Sequence, residues 1–184
     1  MKYMIENLNY DKSEISWFNK KEIKLKIEKI EYASYDKINN YIRIEIGAGF
    51  ISEKYLYYDV DGNKIMECNA KEEFLWWKIG NVEKIIRVKN LIYVPFYLKK
   101  KIIIIQTEDE NKIFHGKIFN LKGEFLFEVI PPPDFTIWYF SEDEDGVYVA
   151  CDGDKKYADS SGRTSYNFKI DLSNGVLSKV GLAY

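Results

Sequence analysis

Residues 57–66, YYDVDGNKIM, decide the fold, because they describe a tight turn between two apolar strands and the chain repeats that turn twice. Residues 117–126, KIFNLKGEFL, have the same order: an apolar residue, Asp or Asn, an aliphatic residue, one polar residue, then Gly. Residues 168–177, FKIDLSNGVL, carry one extra residue before the Gly. Because Gly tolerates the positive φ of hairpin turns, all three segments predict β-hairpins.

Composition limits the classes of protein to consider. With 184 residues the chain can bury a substantial core, and we expect one β domain over residues 1–184. The net charge of −2 argues against nucleic-acid binding, and 46% apolar residues argue against disorder. Cys68 and Cys151 lie far apart and form no metal motif, so we expect buried, reduced thiols. The sequence shows no secretory signal and no membrane-spanning run, which predicts a cytoplasmic protein that binds no membrane.

The remaining pattern predicts an all-β fold of about twelve or more short antiparallel strands, with at most one short helix. An N-terminal hairpin occupies residues 1–29, where Ile23, Leu25 and Ile27 alternate with lysines. Three repeat-like groups of four strands follow, in residues 30–70, 81–130 and 134–184, arranged as a propeller-like array or a sandwich.

Three segments need separate interpretation. Residues 71–78, which end before Gly80, fit either two helical turns or an aromatic strand, and we favour the strand. Ile102 to Ile105 are apolar on both faces, which predicts a fully covered central strand. Residues 131–134, PPPD, predict a rigid connector between the second and third groups.

The turn motifs resemble those of β-propeller blades, whose third strand often ends in aromatic-Asp-aliphatic-x-Gly. Residues 58–62 match this order, and residues 170–175 follow it with Ile170 at the aromatic position and one extra residue before the Gly. The resemblance covers residues 30–180 and implies a propeller-like fold. Closed propellers have about four to eight blades, so three groups would close in another way, pair between two chains or form an open array.

Two motifs favour ordinary structural roles over chemistry. His115 is the only histidine, and with no nucleophile or base beside it in sequence, a half-buried position at a strand end is the favoured interpretation. Asp59 to Asn63 resemble part of a calcium loop but lack its further oxygen ligands and closing Glu, so turn chemistry accounts for them. We expect no catalytic residue, no metal and no cofactor.

Acidic loops and tryptophans are the candidate partner-binding groups. The set comprises Glu108, Asp109, Glu110, Glu142, Asp143, Glu144, Asp145, Asp152, Asp154, Trp76 and Trp77. Solvated loop charge is the simpler interpretation of the carboxylates, and an acidic surface that docks a basic protein is the functional one. Neighbouring Trp76 and Trp77 would point to opposite faces of a strand, which leaves one of them exposed.

Small, acidic β proteins without catalytic groups are similar in character to the immunity proteins of bacterial toxin systems, such as contact-dependent growth inhibition. That similarity implies a non-catalytic intracellular protein that masks a partner, such as a basic toxin domain, through its acidic loops. The alternative is a carbohydrate-binding module or a glycosidase-like enzyme that uses paired carboxylates and tryptophans in a cleft. A third hypothesis is a structural module that assembles with copies of itself, which would include a homodimer.

Overall fold

The computed structural model describes residues 5–49 and 51–183. Its described residues form eighteen β-strands and one short 3-10 helix, which confirms the predicted all-β class. All strand pairs are antiparallel. The chain divides into two compact units, which we call unit 1 (Met1–Leu91) and unit 2 (Ile92–Tyr184). The expectation of a single domain over residues 1–184 stays a prediction.

Unit 1 contains two sheets. The three-stranded sheet is formed by β1 (Glu6–Tyr10), β2 (Glu14–Asn19) and β3 (Lys21–Lys26), and it contains the predicted N-terminal hairpin as β2 and β3. The six-stranded sheet runs in chain order through β4 (Ile30–Asp36), β5 (Tyr41–Ala48), β6 (Ile51–Asp59), β7 (Lys64–Asn69), β8 (Phe74–Ile79) and β9 (Val82–Arg87).

Alternating apolar side chains hold these two sheets together. Ile15, Trp17 and Ile23 of the smaller sheet share one buried cluster with Ile42 and Ile44 of β5. The Trp17 indole Nε1 also donates a hydrogen bond of 2.9 Å to the carbonyl oxygen of Val60, in the turn between β6 and β7. The first of the three predicted turns is therefore fixed against the N-terminal hairpin.

Within residues 71–78 the aromatic part from Phe74 onward forms β8, as favoured, and residues 71–73 form a turn and not a helix. Gly80 has φ of 57° and occupies the first of two residues that connect β8 and β9, where Ile79 pairs with Val82. Gly after an apolar run can end a helix or turn a hairpin, and here cross-strand pairing of the aromatic strand decides between them.

Unit 2 also contains two sheets. In the first, β10 (Leu91–Tyr93) and β11 (Phe96–Tyr97) pair with β12 (Ile102–Glu108), followed by β13 (Phe114–Asn120) and β14 (Phe125–Val129). The second is a meander of β15 (Phe135–Glu142), β16 (Val147–Gly153), β17 (Ser165–Ile170) and β18 (Leu177–Leu182). The 3-10 helix (Lys155–Tyr157) lies between β16 and β17.

The core of unit 2 lies between its two sheets. Ile104 and Ile118 of the first sheet cluster with Val149 and Phe168 of the second. All four isoleucines from Ile102 to Ile105 are at most 3% exposed, which confirms the predicted covered strand. Residues 131–133 connect the two sheets, at the position predicted for the proline connector.

The prediction of three four-stranded groups was wrong. The four sheets have three, six, five and four strands, and no closed propeller forms within the described ranges. Ile85, which falls in the predicted second group, lies in β9 and pairs with Trp76 of β8 in the six-stranded sheet of unit 1. The physical reason is that tight turns at residues 70–73 and at Gly80 extend the first sheet by two strands. Only the third group, β15 to β18, forms one separate four-stranded sheet.

One turn geometry recurs at four places in the described chain. The turns begin at Asp59, Asp109, Asn120 and Asp159. In each, the side-chain Oδ1 of the first residue accepts hydrogen bonds of 2.8–3.0 Å from the backbone N–H groups two and four residues later. The fourth residue has positive φ, from 64° at Lys112 to 89° at Gly62. An Asx side chain thereby satisfies the turn's amides. The Gly175 turn is one residue longer, since Asp171 N–H bonds to the Val176 carbonyl.

Candidate functional site

The turn between β12 and β13 carries the first predicted acidic cluster. Asp109 holds the turn through its Oδ1, and the backbone N–H of Ile113, followed by His115 and Asn111, keeps the pKa of Asp109 below its usual range. Glu108 pairs with Lys112 at 2.8 Å. Glu110 is exposed and forms no side-chain hydrogen bond or ion pair to any described residue. Of these three carboxylates, Glu110 alone is available to a partner.

The turn between β15 and β16 carries the second cluster, four consecutive acidic residues. Asp143 accepts hydrogen bonds of 2.8 Å from the backbone N–H groups of Asp145 and Gly146. Burial, the largest single contribution, raises the pKa of Asp143, but these bonds, Tyr148 and Lys100 hold it below the usual range. Glu142 is partly buried at the end of β15.

The other two members of that turn point to solvent. The side chains of Glu144 and Asp145 are exposed and have no hydrogen bond or ion pair among the described residues. The Glu144 carbonyl oxygen accepts a hydrogen bond of 3.0 Å from Lys100 Nζ, which fixes the backbone of the turn. Two carboxylates are thus displayed on a structurally fixed loop.

Asp152 and Asp154 differ in the same way. Asp152 is partly buried on β16, and its Oδ1 accepts a short hydrogen bond from Ser165 Oγ. Asp154 is exposed and makes no side-chain cap to the 3-10 helix that it precedes. Asp152 therefore links β16 to β17 through its hydrogen bond with Ser165, whereas Asp154 is one of the carboxylates available to a partner.

Two adjoining depressions border the β15–β16 turn within unit 2. The larger, of about 500 Å³, is lined by Ser141, Glu142, Asp143, Asp145, Tyr148, Asn167, Lys169 and Val180. The smaller, of about 350 Å³, shares Asp145 and Lys169 and adds Lys100 and apolar residues of β16 and β17. The described lining of both contains carboxylates but no tryptophan.

The two neighbouring tryptophans point to opposite faces of β8, as predicted. Trp77 is only 1% exposed, so burial removes it from the candidate partner-binding set. Trp76 is partly exposed, but its Nε1 donates a hydrogen bond of 2.9 Å to Glu83 Oε1. Lys64 Nζ lies 5.0 Å from the Trp76 ring centroid. Trp76 therefore offers a partner only part of its ring.

His115 lies near the start of β13 and is half-buried, as expected. Its Nε2 is 3.4 Å from Asp109 Oδ2, and its Nδ1 is 3.4 Å from Glu128 Oε1. Both flanking groups are carboxylates, and neither is a hydroxyl or thiol that His115 could activate as a nucleophile. A catalytic role for His115 stays untested.

The part of the chain that the structure describes contains no candidate metal-binding site. No group of three His, Cys, Asp or Glu side chains there could hold a metal ion. The Asp59 carboxylate is engaged by the amides of Asp61 and Asn63, as turn chemistry predicts. Cys68 and Cys151 are buried and free, as predicted, and burial raises the pKa of each thiol to about 12.

Three edge strands of unit 2 carry a feature that sequence reasoning missed. In β14, β15 and β18 one residue lacks a partner on the neighbouring strand, which defines a β-bulge. These bulge residues are Leu126, Trp138 and Val180, and they are 42%, 49% and 54% exposed. Bulges disrupt edge-to-edge pairing and redirect side chains outward, which argues against assembly through these sheet edges.

Comparison of the sequence with protein-family models and with curated proteins gives no match. Among the described residues, no helix has the length and apolar character needed to cross a membrane.

Proposed function

We propose that the protein is a non-catalytic cytoplasmic binding protein of the toxin-neutralising immunity type, which masks a basic protein partner with the acidic surface of unit 2. We use the term acidic surface for the exposed loop carboxylates Glu110, Glu144, Asp145 and Asp154, of which Asp145 and Asp154 lie at opposite ends of β16. The observation that carries the proposal is that these four carboxylates are exposed and unengaged within the described chain, while Asp109 and Asp143 beside them hold the turns.

Some of these loop carboxylates hold the turns and the others are exposed, and this separation supports a docking role. Asp143 fixes the backbone of its turn, so Glu144 and Asp145 project from an ordered scaffold. Binding to an ordered loop costs less conformational entropy than binding to a mobile one. Exposed charge of one sign also steers a partner of opposite charge and raises the association rate.

The alternative, a sugar-binding or glycosidase-like cleft, has less support. It requires paired carboxylates beside a tryptophan. The depressions next to the β15–β16 turn have the carboxylates, but their described lining has no tryptophan. An exposed acidic turn whose neighbouring depressions lack a tryptophan in their described lining suits a protein partner better.

The test compares association rates of charge-reversal variants with a basic partner captured from the native cell. The variant Glu110→Lys/Glu144→Lys/Asp145→Lys changes the acidic surface, and Glu6→Lys/Glu22→Lys/Glu28→Lys makes the same net change with exposed residues of unit 1. We expect the first variant to slow association about tenfold or more at low salt and the second to have a much smaller effect. Association should also slow as salt rises.

Equal effects of the two variants, or association that is independent of salt, would overturn the proposal. Neither variant alters a turn-forming carboxylate, so circular dichroism should show the same folded spectrum for both.

A further inference from the structure

The larger depression of unit 2 has a chemical composition that selects one kind of side chain. It lies beside the acidic surface, so this inference rests on the proposed function and specifies the partner chemistry. Glu142, Asp143 and Asp145 supply three carboxylates to its wall, and Lys169 supplies one ammonium group. The lining therefore carries net negative charge and favours a cation.

Uncharged acceptors extend the same preference. Asn167 Oδ1 is buried and accepts no hydrogen bond from the described residues, although its Nδ2 donates one of 3.4 Å to the Leu182 carbonyl. A buried acceptor without a partner is costly, and rotation of the Asn167 side chain toward a donor in the depression would relieve that cost. Ser141 contributes a hydroxyl to the same lining.

Apolar surface completes the depression. Val180 is the bulge residue of β18, where Asn167 pairs with Gly181 and Phe168 pairs with Lys179. The bulge leaves Val180 54% exposed. Tyr148 adds an aromatic ring whose hydroxyl group is hydrogen-bonded to Asp143. A long side chain could thus pack its methylene groups on Val180 and Tyr148 while its charged end reaches the carboxylates.

We propose that this depression receives an arginine side chain of the protein partner. Arginine has five N–H donors in a planar fork and stacks on aromatic rings, whereas lysine has a compact ammonium group with three donors. Several acceptors around an aromatic ring match the first pattern. The guanidinium group pairs with Asp145, whose carboxylate is exposed and unengaged within the described chain, and the methylene groups cover Val180.

The test uses amino-acid probes and the full-length protein. N-acetylarginine methylamide, the lysine analogue and the citrulline analogue are titrated separately and followed by amide chemical shifts. Citrulline keeps the shape of arginine but is uncharged. We expect the backbone amides of Gly146, Asn167 and Val180 to shift in the order arginine, lysine, citrulline. Equal shifts with all three probes, or no shift at these amides, would overturn the inference.

Two variants separate this role from a general effect on structure. Asp145→Asn should weaken arginine binding about two- to fivefold, the range for one exposed charge pair. Lys169→Gln should strengthen it by a similar factor, because it removes the one cationic side chain among the described residues that line the depression. Glu22→Gln, on β3 of unit 1, should change nothing. Weaker binding by Lys169→Gln would instead indicate an anion site.

The two proposals fail differently. If arginine and lysine bind equally while the acidic-surface variant still slows partner association, the arginine inference is wrong and the proposed function stands. If the acidic-surface variant has no effect, the proposed function is wrong, and arginine binding by the depression would have to serve another purpose.

Discussion

Units 1 and 2 each pack a glycine turn against an apolar side chain, but they place different residues at the bulges of their edge strands. In unit 1 the Gly62 turn lies against Ile23 of the smaller sheet, and in unit 2 the Gly175 turn lies against Phe127 of the neighbouring sheet. The edge strand β4 of unit 1 places Glu31 at its bulge, paired with Lys12 at 2.8 Å. The three bulges of unit 2 instead expose Leu126, Trp138 and Val180.

The comparison separates what stabilises the fold from what is displayed. The packed turns are common to both units, so they belong to the architecture. In unit 2 the exposed apolar residues Leu126, Trp138 and Val180 lie at edge bulges, whereas in unit 1 the edge strand β3 exposes mainly charged residues and β9 exposes Ile85, which is 63% exposed, without a bulge. Unit 2 is therefore the better candidate for partner binding.

The largest expected effect comes from the packed glycines. Gly175 has φ of 79°, and an added Cβ would lie 2.7 Å from the Phe127 ring; Gly62 has φ of 89°, with Ile23 Cγ2 at 2.9 Å. Gly175→Ala should lower the unfolding free energy by about 2–4 kcal/mol through backbone strain and overpacking. Denaturant unfolding measures this loss, and hydrogen exchange should locate it in unit 2, while Gly62→Ala should act in unit 1.

Gly162→Ala is the matched control, because Gly162 has φ of 80° but no atom within 4 Å of its added Cβ. Gly162→Ala should lower the free energy of unfolding only through backbone strain at positive φ, by about 1–2 kcal/mol. If Gly162→Ala and Gly175→Ala cost the same, packing of the Gly175 turn against Phe127 contributes nothing.

The next effect distinguishes a buried bulge from an exposed one. Ile65 is the unpaired residue of β7 in unit 1 and is 9% exposed, whereas Val180 in unit 2 is 54% exposed. Ile65→Thr should cost about 1–3 kcal/mol by leaving a cavity and burying a hydroxyl group. Val180→Thr should change the unfolding free energy by less than about 0.5 kcal/mol. A large loss for Val180→Thr would assign Val180 to folding and not to display.

Acid should destabilise unit 2 more than unit 1. Hydrogen bonds, led by the backbone N–H of Ile113 for Asp109 and of Arg163 for Asp159, hold the pKa of each carboxyl below its usual value. Asp134, Asp143 and Asp171 of unit 2 also have lowered pKa values, and in unit 1 the same holds for Asp11 and Glu67. An Asp carboxyl whose pKa is lowered by folding stabilises the folded state at pH values above 3.8, its pKa in the unfolded chain. This stabilisation is lost as the pH falls through the lower pKa of the folded state.

Amide spectra recorded from pH 6 to pH 2 would therefore show unit 2 resonances disappearing first. Asp159→Asn keeps a hydrogen-bond acceptor in the turn but cannot titrate, so it should flatten the acid dependence at residues 159–163. Simultaneous loss of both units, with no effect of Asp159→Asn, would mean that these carboxylates do not control acid stability.

The sequence was sufficient to predict the all-β class and the turns at Gly62, Gly123 and Gly175, but not the number of strands or their grouping. The pattern Asp/Asn-x-x-Gly identified the Gly62 and Gly123 turns because the Asx side chain and positive φ act locally. The same local signal was present at Asp159 to Gly162 and was missed. Gly80 after an apolar run is compatible with either the end of a helix or a hairpin turn. Only the pairing of β8 with β7 and β9 decides between them, so the six-stranded sheet was not predicted.

The candidate site was predicted in part for similar reasons. The acidic turns were located from composition, but local sequence did not separate Asp109 and Asp143, which hold turns, from Glu110 and Glu144, which face solvent. The exposed bulge at Val180 had no sequence signal, because a bulge depends on the register with a neighbouring strand. Burial of Trp77 and partial exposure of Trp76 likewise depend on which face of β8 packs inward.

Hydrogen exchange of the full-length protein, with and without its captured basic partner, tests the central claim most directly. The account predicts slower exchange on binding at residues 108–113 and 142–146 of unit 2, with unit 1 unchanged. Protection confined to unit 1, for example around Trp76, with no change in the acidic turns, would contradict it.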